Sequence, residues 1–230
     1  LFINDWEGTD IKFGNGIEVE LPDAISSTHR QLMLAKRIMV MEDGHINIEQ
    51  AVQLAGELGR LLDQVQTEQL DFINLNSLVP DEYAEHWQVT INFLEVVTKF
   101  WPSILEKKGL IDPAQRRNLI MKAQLSYWRR EVPNYPVIAA GSTGSIPITA
   151  DLLSLIAGLP EGAVILPGLD QSLNPEDIND IETHPQYGLF QLLDKMSLAA
   201  SEVQQWANTE TIEPIESTRE FVSAARTKLI

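Results

Sequence analysis

Apolar residues recur every three or four positions over most of the first 130 residues, which is the period of an amphipathic helix. Asn47 is a favoured N-cap residue for one of the resulting helices, and Asp112 followed by Pro113 is a similar start signal for another. Upstream, alternating apolar and acidic residues over 17–21 predict at most one short strand. The predicted helices cover residues 26–41, 47–65, 67–75, 80–105 and 112–130, and Gly109 is expected to stop the fourth segment.

The pattern changes after residue 132. Two short apolar runs over 137–140 and 163–166 flank a segment with helical spacing over 147–157. This order predicts a βαβ unit, whose two strands are parallel and buried on both faces, with Ile138 in the core. We expect a sheet of two or three strands, for which the segment near Ile17 is a candidate third strand. Short helices are predicted over 175–181, 186–195, 199–206 and 218–228.

The predicted fold class is mostly α, with a helical array packed on a small parallel α/β part. Residues 1–24 form an extended lead-in, residues 25–132 a helical subdomain, and residues 133–230 an α/β lobe with C-terminal helices. No apolar run is long enough to span a bilayer. The lack of cysteine excludes disulfides, thiolate metal sites and cysteine nucleophiles. It also fits a reducing compartment, so we expect a cytoplasmic protein.

Charge is distributed unevenly along the chain. The 17 basic and 33 acidic residues give a net charge of −16, which taken as a whole repels nucleic acid. Residues 99–130, however, carry eight basic and two acidic residues, whereas residues 161–220 carry twelve acidic and two basic residues. Any contact with a polyanion is therefore expected on the basic segment. A solvated face on two helices would explain the same charges.

The loop over residues 141–145, Gly-Ser-Thr-Gly-Ser, lies between a predicted strand and a helix, where α/β proteins bind phosphate groups. The phosphate loop of P-loop nucleotidases contains a Gly-Lys pair, which occurs nowhere in this chain, and the dinucleotide-binding pattern G-x-G-x-x-G is also absent. The loop, with Gly141 and Gly144, is thus either a phosphate contact or a tight turn that caps the helix. Asp170 follows the second strand and could hold Mg²⁺, but without a phosphate-binding lysine a turn residue is the better interpretation. The four histidines show no metal-ligand spacing, so we predict neither a metal site nor a complete catalytic set.

Four stretches of the sequence stand out when they are taken together. They are VPDEYAEHWQVTINFLEVV from residue 79, DPAQRRNLIM from residue 112, PVIAAGSTGSIPITADLLSLIAGLPEGAVILPGLD from residue 136 and HPQYGLFQLLD from residue 184. In this order and spacing they resemble the B subunits of the bacterial AddAB helicase–nuclease, a family that processes double-strand DNA ends for recombinational repair. The resemblance extends over about residues 25–228. It implies a helicase-like, P-loop NTPase-like core, with residues 25–132 as a helical insertion of its first domain.

The resemblance also implies that this segment departs from a working motor. The two predicted strands would match core strands where an active helicase carries an Asp-Glu pair, and here Ala139, Ala140, Gly141 and Ser142 stand in that place. The Walker A lysine and the nuclease motif of the family have no counterpart in the chain. ATP and Mg²⁺ would then belong to an AddA-like motor subunit. Double-stranded DNA ends and single-stranded DNA would be ligands of the whole complex.

Three functional hypotheses follow. The first is a non-catalytic scaffold that guides DNA and contacts the motor subunit, and a continuous positive groove reaching the Ser142 loop would favour it. The second is a helical protein-interaction module without nucleic-acid contact, whose acidic segment over 161–220 would favour a basic partner. The third, an autonomous nucleotide hydrolase, needs the missing lysine. The candidate DNA-binding residues of the first hypothesis are Arg116, Arg117, Lys122, Arg129, Arg130, Ser142, Thr143 and Ser145.

Overall fold

The computed structural model describes residues 10–13, 17–41, 46–70, 96–179 and 181–205. These residues confirm a mostly helical fold with small parallel sheets. The helices are α1 (Ser27–Met41), α2 (Ile48–Thr67), α3 (Trp101–Lys108), α4 (Pro113–Arg130), α5 (Pro147–Ala157), α6 (Pro175–Asn179) and α7 (Tyr187–Lys195). The strands are β1 (Asp10–Phe13), β2 (Ile17–Glu20), β3 (Asp23–Ala24), β4 (Leu110–Ile111), β5 (Val137–Ala140) and β6 (Gly162–Ile165).

Helices α1 and α2 pack against each other and form the first core of the molecule. The predicted N-cap at Asn47 is confirmed, because its Oδ1 accepts from the Gln50 backbone N–H at 2.8 Å and Gln50 Oε1 accepts from the Asn47 N–H at 3.1 Å. This reciprocal pair satisfies two N–H groups that a bare helix start leaves unpaired. The apolar faces of both helices meet α3 and the turn before it. The buried members of this core include Leu34, Ile38, Ala51, Ala55, Leu58, Leu62, Val97 and Trp101.

The segment before α4 contains a change of helix type. A π-helical turn, Val96–Phe100, runs directly into α3, and Pro102 lies in the first turn of α3. A proline is tolerated there because its missing N–H would have no partner within the helix. Gly109 ends α3 with a φ of 62°, which confirms the predicted stop. The predicted helix over 67–75 and the first part of that over 80–105 lie largely outside the described residues.

Two strand pairings of the N-terminal residues differ from the prediction. The predicted strand near Ile17 is confirmed as β2, but it pairs antiparallel with β1. This candidate for a third strand is therefore not part of the βαβ sheet, which has two strands among the described residues and so agrees with the predicted two or three; only three residues separate β1 from β2, which favours a local hairpin. Strand β3 pairs in parallel with β4, and the Ile25 N–H continues the pairing to the Ile111 carbonyl at 2.9 Å. The lead-in is thereby tied to the start of α4.

The predicted βαβ unit is confirmed. Strands β5 and β6 are parallel, with Val137 opposite Gly162 and Ala139 opposite Val164, and α5 connects them with the predicted bounds. At Gly162 an added Cβ would lie 1.8 Å from the Ile156 carbonyl oxygen. Only glycine lets β6 return so close to the last turn of α5.

The expected burial of both faces of this sheet is wrong. Val137 and Ala139 pack on the core shared with α4 and α5, but the side chain of Ile138 is 63% exposed. A single crossover helix covers one face of a two-stranded sheet, and the other face remains accessible in the described part of the chain. Two strands do not establish a helicase-like core, which stays an expectation from the resemblance.

The C-terminal helices are confirmed only in part. Helices α6 and α7 match two predicted segments, whereas the predicted helix over 199–206 is wrong, since a single 3-10 turn, Ala200–Glu202, forms there. The Ala200 carbonyl accepts from the Val203 N–H at 3.3 Å, which closes the 3-10 turn, and from Gln171 Nε2 at 2.9 Å. The predicted helix over 218–228 lies outside the described residues.

Candidate nucleic-acid interface

Helix α4 carries all five of the basic candidate residues and contains no acidic residue. The helical period divides these residues between two sides. Arg116 is buried and Arg117 is half-buried, whereas three cations are exposed. We call the exposed set the outer face, which consists of Lys122, Arg129 and Arg130.

The two inner arginines hold α4 to earlier parts of the chain. Arg116 is 7% exposed, and its Nε donates to the Pro22 carbonyl at 3.2 Å. Arg117 Nη2 donates to Thr67 Oγ1, at the end of α2, at 2.8 Å. These contacts place both guanidinium groups within the packing of the fold. The charge on α4 that solvent reaches freely therefore comes from the outer face.

The outer face is a compact positive surface. Lys122, Arg129 and Arg130 are seven and eight residues apart, which brings them to the same side over about 12 Å of helix. Arg130 Nε donates to the Ser126 carbonyl at 3.3 Å, so its side chain lies back along the helix. Such an arrangement suits the phosphates of a nucleic acid, which are bound mainly by Lys and Arg.

A buried polar network fixes the position at which α4 begins. Asp112 is 1% exposed, and its Oδ2 accepts from Trp101 Nε1 and from Gln66 Nε2, each at 2.9 Å. The predicted N-cap position is confirmed, since the Asp112 carbonyl accepts the first helical bond from the Arg116 N–H, but its side chain makes no capping bond to α4. The Asp-Pro pair marks the helix start correctly. The local sequence holds no signal for the donors that converge on Asp112 from α2 and α3.

Arg30, on α1, completes this network. Its Nη1 and Nη2 donate to the two carboxylate oxygens of Asp63 at 2.6 and 2.5 Å, and Nη1 also reaches Asp112 Oδ1 at 3.4 Å. The hydrogen bonds to Asp63 raise the pKa of Arg30, so its guanidinium remains charged at any working pH. The network joins α1, α2, α3 and α4 through one cation and two carboxylates.

The strand-end loop over 141–145 packs against α7. Gly144 has a φ of 66°, and a Cβ there would lie 2.9 Å from Leu192 Cδ2. Gly188, one turn before Leu192 on α7, also approaches the loop, since a Cβ there would contact the side chains of Ser145 and Thr143. Ser142 and Thr143 are half-buried and Ser145 is exposed. The loop thus serves as a packing surface for α7, and its hydroxyls lie on a different element from the outer face.

Asp170 belongs to a turn at the end of β6. Its Oδ1 accepts from the Ser172 N–H at 2.9 Å and from the Ser172 hydroxyl at 2.6 Å. These bonds favour the carboxylate and lower the pKa of Asp170. Gln186 binds the same turn twice, because its Oε1 accepts from the Asp170 N–H and its Nε2 donates to the Gly168 carbonyl. The residues at the start of α7 therefore contact both strand-end loops.

Within the described ranges, no group of three or more His, Asp and Glu side chains is placed to hold a metal ion. No helix in the same ranges combines the length and apolar character needed to cross a membrane.

Comparison of the chain with protein-family models, with curated proteins and with solved structures gave no match. The site geometry and the resemblance described above are therefore the basis for a functional assignment.

Proposed function

We propose that this chain is a non-catalytic, helicase-like scaffold segment of a DNA-end-processing helicase–nuclease, similar to the B subunits of AddAB. In this role it guides DNA and contacts an AddA-like motor subunit in the cytoplasm. The observation that carries the proposal is the outer face of α4, three exposed cations on a helix without acidic residues in a chain of net charge −16. A cationic face of this kind supplies sequence-independent binding to phosphates.

The arrangement of the strand ends supports a non-catalytic role. Ligands of α/β proteins bind beyond the carboxyl ends of parallel strands. Here α7 packs on the loop after β5 through Gly144, and Gln186 holds the turn after β6. Asp170 bonds to Ser172 in that turn. In this proposal ATP and Mg²⁺ belong to the partner motor subunit, as the resemblance implies.

The test is charge reversal of the outer face in the full chain. A variant with Lys122→Glu, Arg129→Glu and Arg130→Glu should bind a labelled oligonucleotide at least about tenfold more weakly at low salt. The slope of log affinity against log salt should also fall by about 1 for each phosphate that the variant no longer neutralises. Fluorescence anisotropy over a series of salt concentrations measures both quantities.

A matched control separates local binding from net charge. Lys36, Arg60 and Lys195 are also exposed, and their simultaneous change to Glu gives the same total charge. The control should retain the wild-type salt slope and lose less affinity. Equal losses in the two variants, or none in either, would contradict the assignment of DNA binding to α4.

A helical protein-interaction module without nucleic-acid contact is the alternative function. It is favoured by exposed acidic side chains after β6, among them Glu176, Glu182 and Asp194, which suit a basic partner. In that case the chain binds no oligonucleotide even at low salt. It would instead bind a basic probe such as polylysine, and substitution of these three acids would weaken that binding.

A further inference from the structure

Tyr135 is a large exposed aromatic side chain that follows Arg130, the last residue of the outer face, by five positions. Its side chain is 55% exposed, and it lies in the link between α4 and β5. Both ends of this link are held, because the Glu131 N–H donates to the Tyr127 carbonyl at 2.8 Å and the Val137 N–H donates to the Glu161 carbonyl at 3.0 Å. Pro133, within the link, is buried. The ring is thus presented from an anchored loop.

We propose that Tyr135 stacks on a base of a single-stranded nucleic acid whose phosphates contact the outer face of α4. This inference rests on the proposed function. It adds that the bound nucleic acid is single-stranded and that Tyr135 distinguishes a single strand from a duplex. Every base has a π-face that can stack on an aromatic ring, but paired bases in a duplex are covered by their neighbours. Tyr135 therefore selects for unpaired strands, whereas the cations bind phosphates of either form.

The spacing along the chain lets one strand contact both α4 and the link. Tyr135 follows Arg130 by five positions, so their Cα atoms lie at most about 18 Å apart. A strand of several nucleotides can reach both groups. The exposed carboxylate of Glu131 lies between them and offsets one of the three positive charges. Glu131 thus weakens the attraction of this region for phosphates, and stacking on Tyr135 would add to the affinity for the strand.

The test compares Tyr135 variants of the full chain on three probes: an oligo-dT strand, the same backbone without bases, and a blunt duplex. Tyr135→Ala should lower affinity for the oligo-dT strand by about 5- to 100-fold, the range found for loss of one stacked base. It should leave affinity for the abasic strand and the duplex unchanged, and Tyr135→Trp should restore oligo-dT binding. Ile138→Ala is the control, because it removes exposed apolar surface without an aromatic face.

The outcomes separate this inference from the proposed function. If Tyr135→Ala binds oligo-dT as the wild type does while charge reversal of the outer face abolishes binding, stacking is refuted and DNA guidance stands. Equal loss for strand and duplex, or an equal effect of Ile138→Ala, would indicate a general contact surface and also overturn the inference. If the wild-type chain binds none of the probes, both proposals fail.

Discussion

Asp112 has the lowest exposure among the buried charged residues in the described part of the chain, and three donors from three helices converge on it. A buried carboxylate is stable only when its lone pairs accept hydrogen bonds and its charge is compensated. Trp101, Gln66 and Arg30 meet both requirements. The residue therefore holds these helices together through its carboxylate, and its removal would leave several buried donors without an acceptor.

The first prediction compares the buried carboxylate of Asp112 with an ordinary helix cap. Asp112→Ala should lower the free energy of unfolding by about 3–5 kcal/mol. The change leaves buried donors without an acceptor and removes part of the negative charge that compensates Arg30. Asn47→Ala removes a capping box at an exposed helix start and should cost about 1 kcal/mol. Urea denaturation of the two variants measures both values. A loss near 1 kcal/mol for Asp112→Ala would mean that the residue contributes no more than a cap.

At the scale of elements, the βαβ unit is asymmetric. One face of β5 and β6 packs on α4 and α5, and their carboxyl-end loops contact the start of α7. The other face carries Ile138, which is exposed. Substitutions along the same strand should therefore differ sharply in their effect according to the face.

The second prediction follows from this asymmetry. Ile138→Asp should change the free energy of unfolding by no more than about 1 kcal/mol, the span of strand propensities, because the side chain lies outside the core. Ile148→Asp, on the buried side of α5, places an unpaired charge in the core and should unfold this part of the molecule. Circular dichroism in urea distinguishes the two. Unfolding by Ile138→Asp would show that the exposed face is covered in solution.

The third prediction tests the packing of the strand-end loop on α7. Gly141 and Gly144 both have positive φ, but only at Gly144 would a Cβ meet another side chain, that of Leu192. Gly141→Ala should lower the free energy of unfolding by about 1–2 kcal/mol, which is the penalty for holding an alanine at positive φ. Gly144→Ala adds overpacking and should cost about 1–3 kcal/mol more. Hydrogen exchange in α7 should increase in the second variant only, and equal behaviour of the two would argue against this contact.

At the scale of the whole molecule, α4 connects the two main cores. Its inner face packs on α5 through Ile120 and Met121, and Asn118 Nδ2 donates to the Gln66 carbonyl at 2.6 Å. Arg116 joins it to the lead-in at Pro22. Among the described residues nothing covers the opposite side of this helix, which is therefore the side available to a ligand.

The fourth prediction separates folding from binding on this helix. Arg116→Glu should destabilise the chain by about 3 kcal/mol or more, since it places a carboxylate where a buried guanidinium donates to a carbonyl. Arg129→Glu changes an exposed residue and should alter the free energy of unfolding by no more than about 0.5 kcal/mol. Thermal unfolding gives both values. If Arg116→Glu folds normally and loses only DNA binding, Arg116 belongs to the interface after all.

Local pattern alone was enough to predict most described helices, the N-cap at Asn47, the stop at Gly109 and the βαβ unit. These features depend on periodicity, on N-cap chemistry and on glycine's access to positive φ, and all of these act between residues close in sequence. The pattern also located the basic segment on α4.

Tertiary packing decided the rest. The positions of α2 and the lead-in decide which arginines of α4 face inward. The burial of the Asp112 carboxylate depends in the same way on donors from α2 and α3. Whether Ile138 is covered depends on how many layers flank the sheet. An apolar run looks the same in a sheet covered on one face or on two, because the covering elements come from distant parts of the chain.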